Sequence, residues 1–252
     1  MLETWYFCKM TSLSTKIQEQ IRSLPEDVSF GYDELVITAE EYQSTAKVLE
    51  RLQKKGVIKR LSKGLFYKPK KTVFGEKKPD EQQILKSYFY RNGQRIAYIT
   101  GTYLYNQMGL TTQIPAIIQI ASRDRRIFVN RGTVKATPVK SYVDVTDDNY
   151  QMLGVLDALK DLKDIPDLDI KSAITILEKQ LNAYNDEQLD KLIGYALKYP
   201  PRVRALLGAL LSDMKKRAPV TKKLKDSLNP LTVFKVGINI AILQTASEWN
   251  IQ

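Results

Sequence analysis

The chain has 252 residues and a 43% hydrophobic content, enough for one large domain or two modest ones with a real core. Its formal net charge of +11 suggests an acidic partner, with nucleic acid or a membrane surface as the leading candidates. With no histidine and a single cysteine, Cys8, it excludes an intramolecular disulfide, His-based acid–base or nucleophile systems and His metal ligands.

Ser14 is placed to cap a first helix, Thr15–Ser23, with Ile17, Gln20, Ile21 and Leu24 along one face and Pro25 ending it. Val28–Phe30 is short and β-prone, and Tyr32–Leu35 reads as a second, short helix after Gly31. Two starts compete for a third helix: the capping box Thr38-x-x-Glu41, and Ser44. The Ser44 start is favoured, with the helix ending at Gly56 in a C′ position. Val48, Leu49 and Leu52 share its apolar face. After Gly56, Val57, Ile58, Leu61, Leu65, Phe66 and Tyr67 surround Lys63-Gly64, a hairpin signal closed by Pro69. Lys68–Lys78 reads as a basic linker, which puts a domain boundary at Lys78.

Pro79–Arg91 is expected to be helical, Arg95–Thr100 a strand, and Tyr103–Met108 a helix stopped by Gly109. Ile117–Ala121, Ile127–Asn130 and Thr133–Val139 read as strands. From Asp147 onward the pattern is mainly helical: Asn149–Leu162, Lys171–Leu181, Glu187–Tyr199, Arg202–Lys216 and a last segment near Thr232–Ser247. The nearest approach to a membrane span, Leu231–Ala246, is interrupted by Lys235 and Asn239 and falls short of about 18 uninterrupted apolar residues. The first ten residues lack a basic start followed by an apolar stretch, so no secretory signal is expected and a cytoplasmic location follows by default. Met1 and Met10 both stay open as the start.

The positive charge is concentrated. Met1–Glu41 carries 3 basic and 8 acidic residues, whereas Tyr42–Lys78 carries 12 and 2, a jump to +10 where the third helix begins. Pro79–Tyr142 is net +6, Val143–Leu197 net −7 and Lys198–Gln252 net +7. On the third helix Lys47, Arg51 and Lys54 recur at spacings of four and three, opposite Val48 and Leu52. A helix greasy on one side and basic on the other suits a DNA major groove, where Lys and Arg neutralise phosphates and Arg can fork onto a guanine edge. Gln43, Ser44 and Thr45, near the helix start, are the candidate base readers. Lys59, Arg60, Lys63 and Lys68 on the hairpin suit the neighbouring backbone or minor groove. The plain alternative for the stripe alone is a solvated amphipathic helix; the hairpin and the charge jump favour DNA.

The run KVLERLQKKGVIKRLSKGLFYKP, Lys47–Pro69, resembles the winged-helix signature of AbiEi-type antitoxins, through Leu49, Arg51, Leu52, Gly56, Arg60, Gly64, Tyr67 and Pro69. A second run, YITGTYLYNQMGLTTQIP, Tyr98–Pro115, is similar to the same family at Thr100, Gly101, Asn106, Gly109, Leu110, Thr111, Gln113 and Pro115. The resemblance covers about Thr15 to Leu181; Lys198–Gln252 matches no named pattern. It implies an antitoxin of a type IV toxin–antitoxin system in bacteria, which binds repeats in its own promoter, represses it, and counters a nucleotidyltransferase toxin without a stable complex. The whole reading is an α+β chain: a winged helix-turn-helix over residues 1–78, a mixed α/β antitoxin domain over 79–181 and a helical extension over 182–252. A winged-helix regulator with an effector or protein-interaction domain and no toxin is the alternative.

No Walker loop, dinucleotide fingerprint or Cys/His metal cluster is found, so neither a cofactor, a metal nor a catalytic residue is expected. The acids Asp147, Asp148, Asp157, Asp161, Asp164, Asp167 and Asp169 could be imagined around Mg²⁺, but acidic helix faces and N-caps explain them more simply. In Tyr98–Pro115 the simpler reading is structural: Gly101 and Gly109 serve turns, Thr100, Asn106 and Gln113 satisfy backbone groups, and the tyrosines are core.

Overall fold

A computed structural model describes residues 12–26, 28–32, 34–62, 64–72, 75–77, 85–86, 88–91, 93–131, 134–214 and 218–252. The fold is α+β and divides into two compact units, one ending at Gly93 and one running Gln94–Gln252. The boundary therefore lies some fifteen residues beyond the basic stretch that was its sequence signal, and no second division appears at Leu181. Part of that stretch is itself structured: β4 (Lys70–Thr72) and β5 (Gly75–Lys77) pair antiparallel.

In the first unit α1 spans Leu13–Ser23. Its cap is Ser12 rather than Ser14, accepting from the Thr15 N–H at 3.3 Å. β1 is Ser29–Phe30. The short helix expected at Tyr32–Leu35 is a single turn: Leu35 N–H reaches the Tyr32 carbonyl at 3.3 Å, and the Glu34 carboxylate turns back to the Gly31 N–H at 2.8 Å. One turn fixes three residues for one hydrogen bond, which does not propagate unaided. Asp33, within it, lies outside the described residues.

α2 is Tyr42–Lys54. Ser44 is inside it and not its cap; the turn before it uses the other start signal, with the Glu41 carboxylate accepting from the Thr38 N–H at 3.0 Å. That bond first, and then Lys16, hold the Glu41 carboxyl below its ordinary pKa. The end of α2 follows expectation. Gly56 sits at φ +71°, its N–H bonds the Gln53 carbonyl and the Val57 N–H bonds that of Leu52, a Schellman closure that favours glycine. β2 (Lys59–Ser62) and β3 (Leu65–Tyr67) then form the hairpin, with β1 added on the other side of β3. Ile17, Ile21, Phe30, Leu35, Val48, Leu49, Leu52, Ile58 and Phe66 make one core between the helices and this small sheet. The helix expected at Pro79–Arg91 falls largely outside the described residues, and Tyr90–Arg91 is a strand, β6.

The second unit opens with β7 (Gln94–Arg95). Its main sheet has the order β10-β11-β9-β8, with β8 Ala97–Thr100, β9 Ile118–Ser122, β10 Val129–Arg131 and β11 Val134–Lys140. β11 and β9 are parallel, the other pairs antiparallel. α3 (Thr102–Gln107) ends at Gly109, φ +79°, with the same closure as α2. Among the described residues five α-helices follow, α4 Tyr150–Lys160, α5 Ile170–Asn182, α6 Asp186–Ala196, α7 Pro201–Asp213 and α8 Ala218–Asp226, and then a 3-10 turn at Ser247–Trp249. α4 and α7 are apolar almost all round and pack against each other, so they form the centre of the core.

The helix expected near Thr232–Ser247 is absent. Asn229 and Asn239 accept the N–H groups of Leu231 and Ala241, both at 2.9 Å, so their side chains nucleate turns instead. The tail wraps α7: Phe234 bridges Ile251 in parallel, Thr245 donates to the Ala209 carbonyl at 2.7 Å, and Trp249 Nε1 donates to Ser212 at 3.2 Å. Gly208 faces the Trp249 ring so closely that a Cβ there would overlap it. Gly208→Ala is expected to destabilise the second unit by about 1–3 kcal/mol through overpacking, read as a lower urea midpoint.

Candidate nucleic-acid interface

α2 is strictly two-faced. Thr45, Val48, Leu49 and Leu52 are buried, and Gln43, Ser44, Lys47, Arg51 and Lys54 are exposed. The amphipathic pattern thus places Lys47, Arg51 and Lys54 on the solvent side, along with two of the three candidate base readers. Thr45 is a correction. It precedes Val48 by three and Leu49 by four residues, so it belongs to the inner stripe; it is 0% exposed and cannot meet a duplex. Its Oγ1 has no hydrogen-bond partner among the described residues.

The cations differ in how far they are already engaged. Arg51 Nε donates weakly to the Lys47 carbonyl at 3.4 Å and stays on the surface. Lys54 pairs with Glu50 at 2.8 Å one helical turn back, which raises its pKa, while that carboxylate is lowered in turn. Both groups are solvent-exposed, so a phosphate can compete for the lysine. Lys59 bonds Glu76, which ties β2 to β5.

Arg60 is exposed on β2. Lys63 lies outside the described residues. Lys68 is already engaged within the unit: its ammonium donates to the carbonyls of Arg22 and Leu24, at 3.1 and 3.2 Å, at the C-terminus of α1. Of the expected site, Gln43, Ser44, Lys47, Arg51, Lys54 and Arg60 remain on the surface of the first unit.

The second unit holds a polar cluster that the linear pattern did not reveal. Asp157 on α4 is 3% exposed and accepts from Tyr98 at 2.7 Å, Thr100 at 2.6 Å and Tyr199 at 3.2 Å, with Lys160 Nζ at 3.4 Å. Tyr105 donates to Asp161 at 2.6 Å and is 3.1 Å from the Asp157 carbonyl. Burial raises the phenol pKa of Tyr98, Tyr105 and Tyr199, and the neighbouring carboxylates raise it further. Burial alone would lower that of Lys160; Asp157 and Asp161 outweigh it and keep the ammonium charged. Every polar atom here has a protein partner, so the cluster is a satisfied structural knot. The available signal was a carboxylate inside the otherwise apolar run Met152–Leu159.

The remaining acids scatter. Asp169 caps α5, accepting from the Ser172 N–H at 3.0 Å, and Asp147 pairs with Arg95 at 2.7 Å. Among the described residues, no group of three or more His, Cys, Asp or Glu side chains is placed to hold a metal ion. Asn106 does satisfy a backbone group, the Thr111 carbonyl at 3.1 Å, whereas Thr100 and Gln113 serve the carboxylates of Asp157 and Asp167 instead. Among the described residues no helix is long and apolar enough to cross a membrane.

The chain is similar in fold to the crystal structure of the RV2827C protein from Mycobacterium tuberculosis, at 11% identity and a TM-score of 0.52, over 93% of this chain and 88% of that one. No curated protein matches its sequence. The model of one family matches residues 16–185, and the chain belongs to that family, described as a family of unknown function (DUF6088).

Proposed function

We propose that the chain is a sequence-specific, double-stranded-DNA-binding repressor whose first unit is a winged helix-turn-helix, with α2 as the recognition helix and the β2–β3 hairpin as the wing. The observation that carries this reading is the exposed row Lys47–Arg51 on a helix whose opposite face is fully buried, followed at once by a basic hairpin. Lys47 and Arg51 approach phosphates and a guanine edge, Gln43 and Ser44 read at the helix start, and Arg60 with Lys63 follows the backbone beside the groove.

The motif resemblance of Lys47–Pro69 and Tyr98–Pro115 extends the proposal to an antitoxin of a type IV toxin–antitoxin system. The protein then represses its own promoter in the bacterial cytoplasm and counters a nucleotidyltransferase toxin without a stable complex. In this role the chain is not an enzyme and needs no cofactor. Titration of the full chain against the DNA upstream of its own reading frame tests the first part. Retarded complexes that disappear as salt rises from about 50 to 200 mM are expected, because each neutralised phosphate releases a counterion. Equal affinity for a scrambled duplex would contradict a repressor. Co-expression with a nucleotidyltransferase encoded beside the gene tests the second part, and no protection of the cell would remove it.

A further inference from the structure

Tyr42 opens α2 and is half exposed, yet its ring is not loose. It stacks on Tyr32 with centroids 4.4 Å apart and planes at 31°. Tyr32 also meets Phe66 of β3 edge-on, with centroids 6.2 Å apart at 81°. A Cβ on Gly64, in the hairpin turn, would stand 3.9 Å from the same ring. One aromatic side chain therefore stacks on the start of α2, meets one strand of the hairpin and faces its glycine turn. Burial raises the Tyr32 phenol pKa, Tyr42 adds to the rise, and the Arg60 guanidinium opposes it, which places that cation within electrostatic reach.

The Tyr42 hydroxyl makes no hydrogen bond with any other described residue. It lies in sequence beside the exposed Gln43 and Ser44, at the helix end where an anion is electrostatically favoured. The neighbouring Glu41 carboxylate does not oppose an anion at full strength, since it accepts from the Thr38 N–H and pairs with Lys16 at 3.5 Å. A stacked tyrosine loses little conformational freedom on binding, which makes it an efficient contact.

We propose that Tyr42 donates its hydroxyl to a DNA phosphate where α2 enters the groove, and that Tyr32 is the positioning residue that holds Tyr42 and the hairpin turn in register. This deepens the DNA-binding reading and rests on it. The protein would then read the spacing between the phosphate at the helix start and the phosphates under the wing as one rigid unit.

The test uses the full chain with the duplex upstream of its own reading frame, comparing wild type with Tyr42→Phe, Tyr32→Phe, Tyr32→Ala and Lys47→Ala/Arg51→Ala. Affinity, phosphate-ethylation interference and thermal unfolding are measured for each. Tyr42→Phe is expected to unfold like wild type, bind roughly tenfold more weakly and lose interference at one phosphate per bound unit. Tyr32→Phe keeps the ring and is expected to keep both affinity and pattern. Tyr32→Ala is expected to lose the Tyr42 phosphate and blur those under the wing. Wild-type affinity and an unchanged ethylation pattern in Tyr42→Phe, alongside weakened Lys47→Ala/Arg51→Ala, overturn this inference alone. A wild-type chain that does not retain the duplex overturns the DNA-binding reading and this inference together.

Discussion

Replacing Lys47 and Arg51 together by alanine is expected to weaken binding to the promoter duplex about a hundredfold, with the fold intact. Both side chains point away from the core, so the change leaves Val48, Leu49 and Leu52 packed as before. A surface substitution of this kind alters stability by roughly half a kcal/mol or less. The effect on binding is larger because an arginine forked onto a base edge is worth about 1–3 kcal/mol, and each lost phosphate contact removes a released counterion. The slope of log affinity against log salt is therefore expected to flatten by up to about two units. Filter binding over a salt series with both proteins measures this. An unchanged slope and affinity would show that this face of α2 does not meet DNA.

Asp157→Ala is expected to be the most damaging single substitution in the second unit. It leaves three hydroxyls, on Tyr98, Thr100 and Tyr199, without their acceptor and Lys160 with a reduced counter-charge. Removing one partner of a buried charge pair costs about 3–5 kcal/mol, since the other is left uncompensated. For a unit of this size that lowers the thermal midpoint by roughly 10 °C. Asp157→Asn retains a carbonyl acceptor and is expected to lose about half as much. Calorimetry of the full chain, following the transition of the second unit, separates the three proteins. Equal midpoints for wild type and Asp157→Ala would mean that the knot contributes nothing to stability.

Local signals were legible and long-range ones were not. The apolar spacing of α2, the glycine after it and the β-prone runs around Lys63-Gly64 depend on neighbours within a few residues, and the structure places a helix, a Schellman closure and a hairpin there. Thr45 was misread because its place near the helix start was weighed ahead of its position on the inner stripe. The engagement of Lys68 was not legible because its partners, Arg22 and Leu24, lie more than forty residues away, where no periodicity reaches. The Asp157 knot gathers side chains from β8, α3, α4 and the segment before α7, so its meaning exists only in three dimensions. In the tail, apolar content suggested a helix, but asparagine turns and packing on α7 decided the outcome.

The fate of Lys68 reaches into solution behaviour. A lysine whose ammonium reaches back from the end of the hairpin to the last carbonyls of α1 is held away from a phosphate, and a phosphate it does not neutralise keeps its condensed counterion. Lys59 must first give up its ion pair with Glu76 before it can neutralise a phosphate. Ionic-strength titrations should thus report fewer ions exchanged than a tally of lysines and arginines suggests, the shortfall being the number of cations that the fold has enlisted as its own mortar.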